Sequence, residues 1–149
     1  MKLKRKLLLK VTLDGIIAGL ALTLFFKAIQ FMTDYKVYTL LLNIDYIPFF
    51  NKFQFPELVE VAFHLIVSIV LSITLVIIIQ WFQTMSTARI IVLCVFISFI
   101  IGALYFPTTL LSDRTPSITS LSSLIYWMIG HILYGFSLGI LLSNRHLTR

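Results

Sequence analysis

Residues 61–82 read VAFHLIVSIVLSITLVIIIQWF and contain no aspartate, glutamate, lysine or arginine. The run is long enough to cross a bilayer as an α-helix, which takes about 20 predominantly apolar residues. A helix also satisfies its own backbone hydrogen bonds, which lipid cannot do for it. This stretch therefore predicts a membrane-spanning helix and raises the question of how many more the chain holds.

Three further segments have the same character. No charged residue occurs within 90–112 or 115–144, and a run from about residue 7 to 31 is interrupted by only three charges. With 59% hydrophobic residues, the 149-residue chain has too little polar surface for a soluble globule. We therefore predict one all-α membrane domain over residues 1–149, with four transmembrane helices in an antiparallel bundle. The spans are placed at about 8–31, 57–81, 88–106 and 117–143.

Local signals refine the ends of these spans. The start MKLKRK followed by leucines is similar to a secretory signal, but charges break the apolar run and no small-residue cleavage site follows. We expect it to be retained as a signal anchor. Pro56 with Glu57 and Glu60 is typical of a first helical turn, and residues 115–117 (Thr-Pro-Ser) predict the start of the last span in the same way.

The distribution of lysine and arginine predicts the orientation. Eight of these residues lie at the two termini and in the link between the second and third spans, and three lie in the other loops. Short loops rich in positive charge stay in the cytoplasm. The chain is therefore predicted to be a multi-pass membrane protein with both termini cytoplasmic. Its net charge of +6 is explained by contact with anionic lipid, and no nucleic-acid partner is expected.

The outer loop, residues 32–56, is unusually apolar for a segment that faces water. Aromatic rings favour the headgroup level of a membrane, so this loop is predicted to lie in the interface, with a short helix near Val37 to Leu42 and a turn at residues 46–48. It could simply cover the bundle, or it could be a docking surface for a lipid or for a membrane-protein partner. Its aromatic residues, with Phe31 just before it, are Phe31, Tyr35, Tyr38, Tyr46, Phe49, Phe50, Phe53 and Phe55.

Each span carries small or polar residues at intervals of four, which usually face other helices in a membrane. These rows predict helix packing, although a GxxxG pair that faced outward would instead make a homo-oligomer contact. The packing glycines are Gly15, Gly19, Gly102, Gly135 and Gly139. The candidate intramembrane polar residues are Asp14, Glu60, His64, Ser68, Ser72, Ser98 and His131.

Depth along the spans separates the ionisable candidates. At 1.5 Å per residue, Asp14 falls near the inner boundary, His131 near the midplane and His64 about one turn below the outer boundary, with roughly 10 Å between successive groups. A shared metal site is not expected at such separations. His131 is expected to bond to Ser98, Ser68 or Ser72. The alternative is a proton or small-solute path through Asp14, His131, and the pair of Glu60 and His64.

Local pairing could neutralise the remaining charges. Asp14 lies one turn after Lys10, and His64 lies one turn after Glu60, so i, i+4 pairs are expected at both places. The single cysteine, Cys94, lies inside a span and provides neither a disulfide nor a metal cluster. No motif of a hydrolase, metalloprotease or phosphate-binding enzyme is present in the sequence. Neither a catalytic residue nor a cofactor is expected.

The last span, IYWMIGHILYGFSLGILL (residues 125–142), has a His-x-x-Tyr-Gly-x-x-x-Gly pattern after an outer loop that contains FPTTLLSDRTPS. In this pattern and in the four-span layout the chain resembles small uncharacterised bacterial inner-membrane proteins of the YagU-like and YqhR-like kind. The resemblance implies a location in the bacterial cytoplasmic membrane but no particular reaction. We therefore expect a non-enzymatic accessory or interaction subunit that contacts membrane lipids and either a membrane-protein partner or further copies of itself. The alternatives are a proton-coupled or small-solute transporter and, third, a lipid-modifying enzyme.

Overall fold

The computed structural model describes residues 5–47, 49–53, 55–82 and 85–147, and throughout these ranges every regular element is helical. The predicted all-α class is confirmed. Four helices are long and apolar enough to cross a membrane. The elements are α1 (Arg5–Thr33), α2 (Val37–Leu42), α3 (Glu57–Trp81), α4 (Thr87–Tyr105) and α5 (Leu121–Leu147), with 3₁₀ turns at Phe50–Lys52 and Phe106–Leu111.

The long helices pack antiparallel in the order α3, α1, α5, α4. Helix α1 lies between α3 and α5, and α5 packs extensively on α4, whereas α3 and α4 make only marginal contact although they are consecutive in the chain. The bundle is therefore open along one side. Helix α2 packs on α1 at the end of the bundle where α1 ends and α3 begins, which we call the loop end. We call the opposite end the terminal end.

Glycines bring the packed helices into close contact. A Cβ atom at Gly15 would lie 2.6 Å from Ser72 Oγ and 3.0 Å from Ile69 Cα, so the α1 backbone lies directly on α3. On α5, a Cβ at Gly135 would lie 2.7 Å from Val95 Cα, and one at Gly139 would lie 2.8 Å from Ile91 Cα. The GxxxG pair therefore faces α4 within the bundle, and it is not an outward oligomer surface.

The helix ends have identifiable causes. Helix α1 ends where Asp34 adopts a left-handed conformation with φ of 62°, which suits a residue just beyond a helix C-terminus. Helix α4 begins after Ser86, whose hydroxyl accepts a hydrogen bond from the backbone N–H of Arg89. The predicted short helix at Val37 to Leu42 is present as α2. The predicted turn that follows it includes position 48, which lies outside the described residues.

The predicted start of the last span at residue 117 is wrong by four residues. Residues 117–120 form a turn in which the Ser120 N–H donates to the Ser117 carbonyl. The Ser120 hydroxyl then accepts from the backbone N–H of Ser123, so the cap lies at Ser120 and α5 begins at Leu121. The proline that suggested an earlier start belongs to the connection before this turn.

Candidate intramembrane site

Two serines of α3 join it to the backbone of α1. Ser68 Oγ donates to the Gly15 carbonyl at 2.7 Å, and Ser72 Oγ lies 3.1 Å from the Val11 carbonyl and 2.8 Å from the Ile69 carbonyl. Backbone carbonyls inside a helix can accept a second bond because oxygen has two lone pairs. Glycine on α1 permits the close approach that brings these hydroxyls within reach.

Tyr134 of α5 extends this contact to a third helix. Its hydroxyl lies 2.8 Å from Ser68 Oγ, and both residues are buried. Ser68 has a single proton, which it donates to Gly15, so Tyr134 is the donor in this bond. One serine therefore links α1, α3 and α5.

Helices α4 and α5 are joined by a second pair of bonds. Ser98 Oγ donates to the His131 carbonyl at 2.7 Å, and Trp127 Nε1 donates to the Gly102 carbonyl at 2.8 Å. A Cβ at Gly102 would lie 2.7 Å from His131 Cγ, so this glycine accommodates the imidazole ring. Gly102 thus makes room for His131 and supplies the acceptor for Trp127.

The His131 ring is not held by a serine, which corrects the predicted bond to Ser98, Ser68 or Ser72. The serine hydroxyls are used on backbone carbonyls, and His131 Nδ1 lies 3.0 Å from the Trp127 carbonyl one turn earlier. A carbonyl can only accept, so Nδ1 carries the proton and the neutral ring presents Nε2 as an acceptor. The Trp127 indole lies against the His131 ring at a centroid distance of 4.4 Å and itself stacks on Phe26 at 5.0 Å. It thereby holds the imidazole on one side.

Asp14 pairs with Arg145 of α5, and the predicted pairing with Lys10 is wrong. Arg145 Nη2 lies 2.9 Å from Asp14 Oδ1, and Arg145 Nε lies 3.0 Å from Oδ2. The Asp14 side chain is fully buried, and two parallel N–H bonds satisfy a carboxylate better than one mobile ammonium group. The row containing Asp14 faces the bundle, whereas Lys10 is exposed.

Glu60 likewise takes an arginine from a distant segment, so its expected pairing with His64 is wrong. Both Arg114 Nη atoms lie 3.1 Å from Glu60 Oε1, and Nη1 lies 3.6 Å from Asp45 Oδ1. Asp45 also accepts a 2.7 Å bond from Ser112 Oγ. This network ties the loop before α5 to Asp45, in the segment between α1 and α3, and to the first turn of α3.

A second polar group lies beside it at the loop end. Glu57 Oε1 accepts from Lys27 Nζ and from the Tyr38 hydroxyl, both at 2.6 Å. Burial raises the pKa of the Tyr38 phenol above its usual value, and the hydrogen bond to the Glu57 carboxylate adds to this rise. Lys27 of α1 and Tyr38 of α2 therefore both bind Glu57, which links these two helices to the start of α3.

A partly open cavity of about 200 Å³ lies inside the bundle, lined by Glu60 and His131 among other residues. Residues of α1, α3, α4, α5 and the segment between α1 and α3 line it. The cavity therefore forms only when these parts of the chain pack together. Helices α3 and α4, which do not pack on each other, face one another across it. Its polar lining consists of Asn43, Tyr46, Glu60, His64, Ser68, Ser98, Tyr105, Trp127, His131 and Tyr134.

The cavity brings His64 and His131 to one site, although roughly 10 Å of depth was predicted to separate them. The difference follows from the start of α5 at Leu121, which places His131 nearer to the loop end than a start at residue 117 would. Measured from the starts of α3 and α5, the two depths differ by about 5 Å. Asp14 does not line this cavity, so the predicted ladder of three groups is divided.

Two buried polar atoms at the cavity have no hydrogen-bond partner within the described structure: Asn43 Nδ2 and His64 Nε2. Asn43 is 1% exposed, its Oδ1 accepts from the Asp45 N–H, and its backbone carbonyl accepts from the Tyr105 hydroxyl. Leaving a buried donor unpaired costs about 1 to 3 kcal/mol. Both atoms therefore mark a place where a polar group of a ligand or a solvent molecule would be stabilised.

Sequence reasoning missed several residues of this site. Arg114 and Arg145 lie outside the uncharged runs and were counted only for orientation, while Asn43 was part of a loop. Trp127 was expected on the His131 face of α5, and Tyr134 could have been found in the same way, because it follows His131 by three residues. The ion pairs of Arg114 with Glu60 and of Arg145 with Asp14 had no local signal.

The described ranges contain no group of three or more His, Cys, Asp or Glu side chains arranged to hold a metal ion. Comparison with known proteins adds no assignment, since no family model, curated protein or solved structure matches the chain.

Proposed function

We propose that the chain is a non-enzymatic multi-pass protein of the bacterial cytoplasmic membrane that acts as an accessory or interaction subunit. Four apolar helices support the membrane location. The concentration of lysine and arginine at the terminal end supports an orientation with both termini in the cytoplasm. The loop end would then face outward.

The observation that carries the interaction role is an aromatic patch at the loop end, formed by Phe49, Phe50, Phe53, Phe55 and Phe63. Its rings pack on one another with centroid distances of 5.4 to 6.0 Å. Phe49 is nevertheless 66% exposed and Phe53 is 49% exposed. A preorganised and exposed set of rings provides contact area with little entropy left to lose on binding, which favours a docking role.

Photocrosslinking in native membranes tests this role. A photoreactive amino acid at Phe49 or Phe53 should trap one discrete partner protein. The matched control is Phe96, which is 59% exposed on the side of α4 and lies far from the aromatic patch. Crosslinks to lipid alone at Phe49 and Phe53, with the same pattern as at Phe96, would overturn the proposal.

The hydroxyl groups in the cavity favour a non-enzymatic role over a lipid-modifying enzyme. A serine nucleophile needs a base within hydrogen-bond reach of its hydroxyl. Among the described residues, Ser68 and Ser98 instead donate to backbone carbonyls, and His131 Nδ1 is used on the Trp127 carbonyl. The Glu60 carboxylate is neutralised by Arg114.

A proton-coupled or small-solute transporter is the second candidate, and the shared lining by His64 and His131 favours it. In proteoliposomes, His131→Ala should then abolish a pH-driven flux while the fold survives. Helical content and monodispersity report the fold. Absence of flux in the wild-type protein, or flux unchanged by the substitution, would dismiss this candidate.

A further inference from the structure

We propose that the cavity between α3 and α4 is a binding site for a lipid with an uncharged, hydroxyl-bearing head group, such as a monoacylglycerol. The head would occupy the polar part of the cavity and the acyl chain would leave between the two helices. This inference goes beyond the proposed interaction role, because it concerns the cavity, which shares only Phe63 with the aromatic patch, and a different class of ligand.

The polar groups define the chemistry of the head. Asn43 Nδ2 is a donor without a partner, and His131 presents Nε2 as an acceptor while Nδ1 donates to Trp127. His64 Nε2 is buried and has no hydrogen-bond partner within the described structure. A hydroxyl group both accepts and donates, so adjacent hydroxyls can bond to the amide and to the imidazoles at the same time.

The charges argue against an ionic head. The only carboxylate in the cavity lining, Glu60, is paired with Arg114, and no lysine or arginine lines the described cavity. A phosphate or carboxylate buried there would have no counter-ion, and burying an unpaired charge costs several kcal/mol. An ammonium group would have to compete with Arg114 for Glu60. The balance therefore favours a neutral ligand.

The volume fits a small head. The cavity of about 200 Å³ is smaller than the roughly 300 to 1,000 Å³ that is typical of sites for drug-sized ligands, so it suits a small group such as a glyceryl head. The remainder of such a molecule must lie outside the cavity.

The open side of the bundle provides the route for the chain. Phe63, Val67 and Leu71 of α3 and Ile101 of α4 form the apolar lining where the two helices fail to pack. Val67 is 61% exposed and Ile101 is 36% exposed, so this apolar edge is accessible from the side. In a bilayer such an opening faces hydrocarbon, which favours a tailed ligand over a free polyol.

The test uses the full chain in phosphatidylcholine nanodiscs with a trace of monoacylglycerol that carries a diazirine in its acyl chain. After illumination, peptide mapping should locate adducts on residues 63–71 and near Ile101. Unlabelled monoacylglycerol should reduce the yield at least tenfold. The fatty acid methyl ester, which lacks hydroxyls, and lysophosphatidic acid, which is charged, should reduce it less than twofold at equal concentration.

Two variants locate the site. Val67→Trp should lower the adduct yield at least tenfold by filling the opening. Val70→Trp, at a position that is 58% exposed and does not line the cavity, should leave the yield within twofold. Asn43→Leu should weaken competition by monoacylglycerol about five- to tenfold, the effect of one lost hydrogen bond.

Three outcomes would overturn the proposal. The first is adducts spread equally over the lipid-facing side of α4, including Val92 and Phe96. The second is equal loss of yield in the two tryptophan variants. The third is protection by a competitor that equals the protection by monoacylglycerol. Equal protection by the methyl ester would contradict the need for hydroxyls, equal protection by lysophosphatidic acid would contradict the neutral head, and equal protection by free glycerol would contradict the acyl chain.

Discussion

Arg145 holds the buried carboxylate of Asp14 with two hydrogen bonds of 2.9 and 3.0 Å, and thereby joins the end of α5 to the first half of α1 at the terminal end. The side chain of Asp14 is fully buried, while a third of the Arg145 side chain is exposed. The pair thus combines an inaccessible anion with a cation that reaches the surface.

Removal of the cation should therefore be costly. Arg145→Met leaves the Asp14 carboxylate buried without a counter-charge. We expect the free energy of unfolding to fall by about 3 kcal/mol. This is the lower end of the range for breaking a buried ion pair, because Arg145 is partly exposed. Equilibrium unfolding in mixed micelles measures it. The double variant Asp14→Leu with Arg145→Met should recover most of the loss, and equal losses in single and double variants would rule out the ion pair as the cause.

Gly135→Ala should destabilise the contact between α4 and α5. The added methyl group would lie 2.7 Å from both the Cys94 carbonyl oxygen and Val95 Cα, and these backbone atoms cannot move without shifting the helix. Overpacking of this kind costs about 1 to 3 kcal/mol, against about 1 kcal/mol gained from helix propensity. A lowered midpoint of thermal unfolding is expected. Leu133→Ala, at a position that is 46% exposed, is the control.

Ser68→Ala should cost more than the loss of another hydroxyl on the same helix. Ser68 serves both Gly15 and Tyr134, whereas Thr74 bonds only to the Val70 carbonyl in its own helix and is exposed. We expect about 1 kcal/mol for Ser68→Ala and about zero for Thr74→Val. In a double-mutant cycle, Tyr134→Phe should cost less in the Ser68→Ala background, and strict additivity would contradict the shared bond.

The Tyr38 phenol should resist ionisation. Its pKa is raised, so the folded state disfavours the phenolate, and the stability that this group contributes is fully present below the ordinary tyrosine pKa of about 10 and is lost as the pH rises above it. The difference in ultraviolet absorbance between the wild type and Tyr38→Phe isolates this titration. A midpoint at or below pH 10 would contradict burial beside Glu57.

Thiol labelling tests the orientation. Cys94 is buried and can be replaced by alanine to give a cysteine-free background. With both termini cytoplasmic, a single cysteine at Thr119 should react with an impermeant maleimide in intact cells. One at Ala88 should react only after permeabilisation. The opposite pattern would reverse the orientation, and equal labelling at both positions would contradict the four-span topology.

The sequence by itself was sufficient to predict the all-α class of the protein and the positions of its long helices. Uncharged runs such as residues 61–82 must be helical in lipid, because only a helix pairs all of its own backbone groups. Local signals were also sufficient for the start of α3 at Glu57 and for the short helix α2. The glycine and serine rows identified the faces that meet, since their interval of four matches the helical repeat.

The tertiary structure decided the partners across those faces. Local spacing favoured Lys10 for Asp14 and Glu60 for His64, but both buried carboxylates are paired with arginines from distant segments. Arg145 bonds to both oxygens of Asp14, and Arg114 donates to Glu60 from both of its Nη atoms. The cavity also has no signal in one helix, because it exists where α3 and α4 fail to pack and where the segment between α1 and α3 closes the loop end. A shift of four residues in the start of α5 was enough to bring His131 to the same cavity as His64, since depth in a bundle depends on where each helix begins.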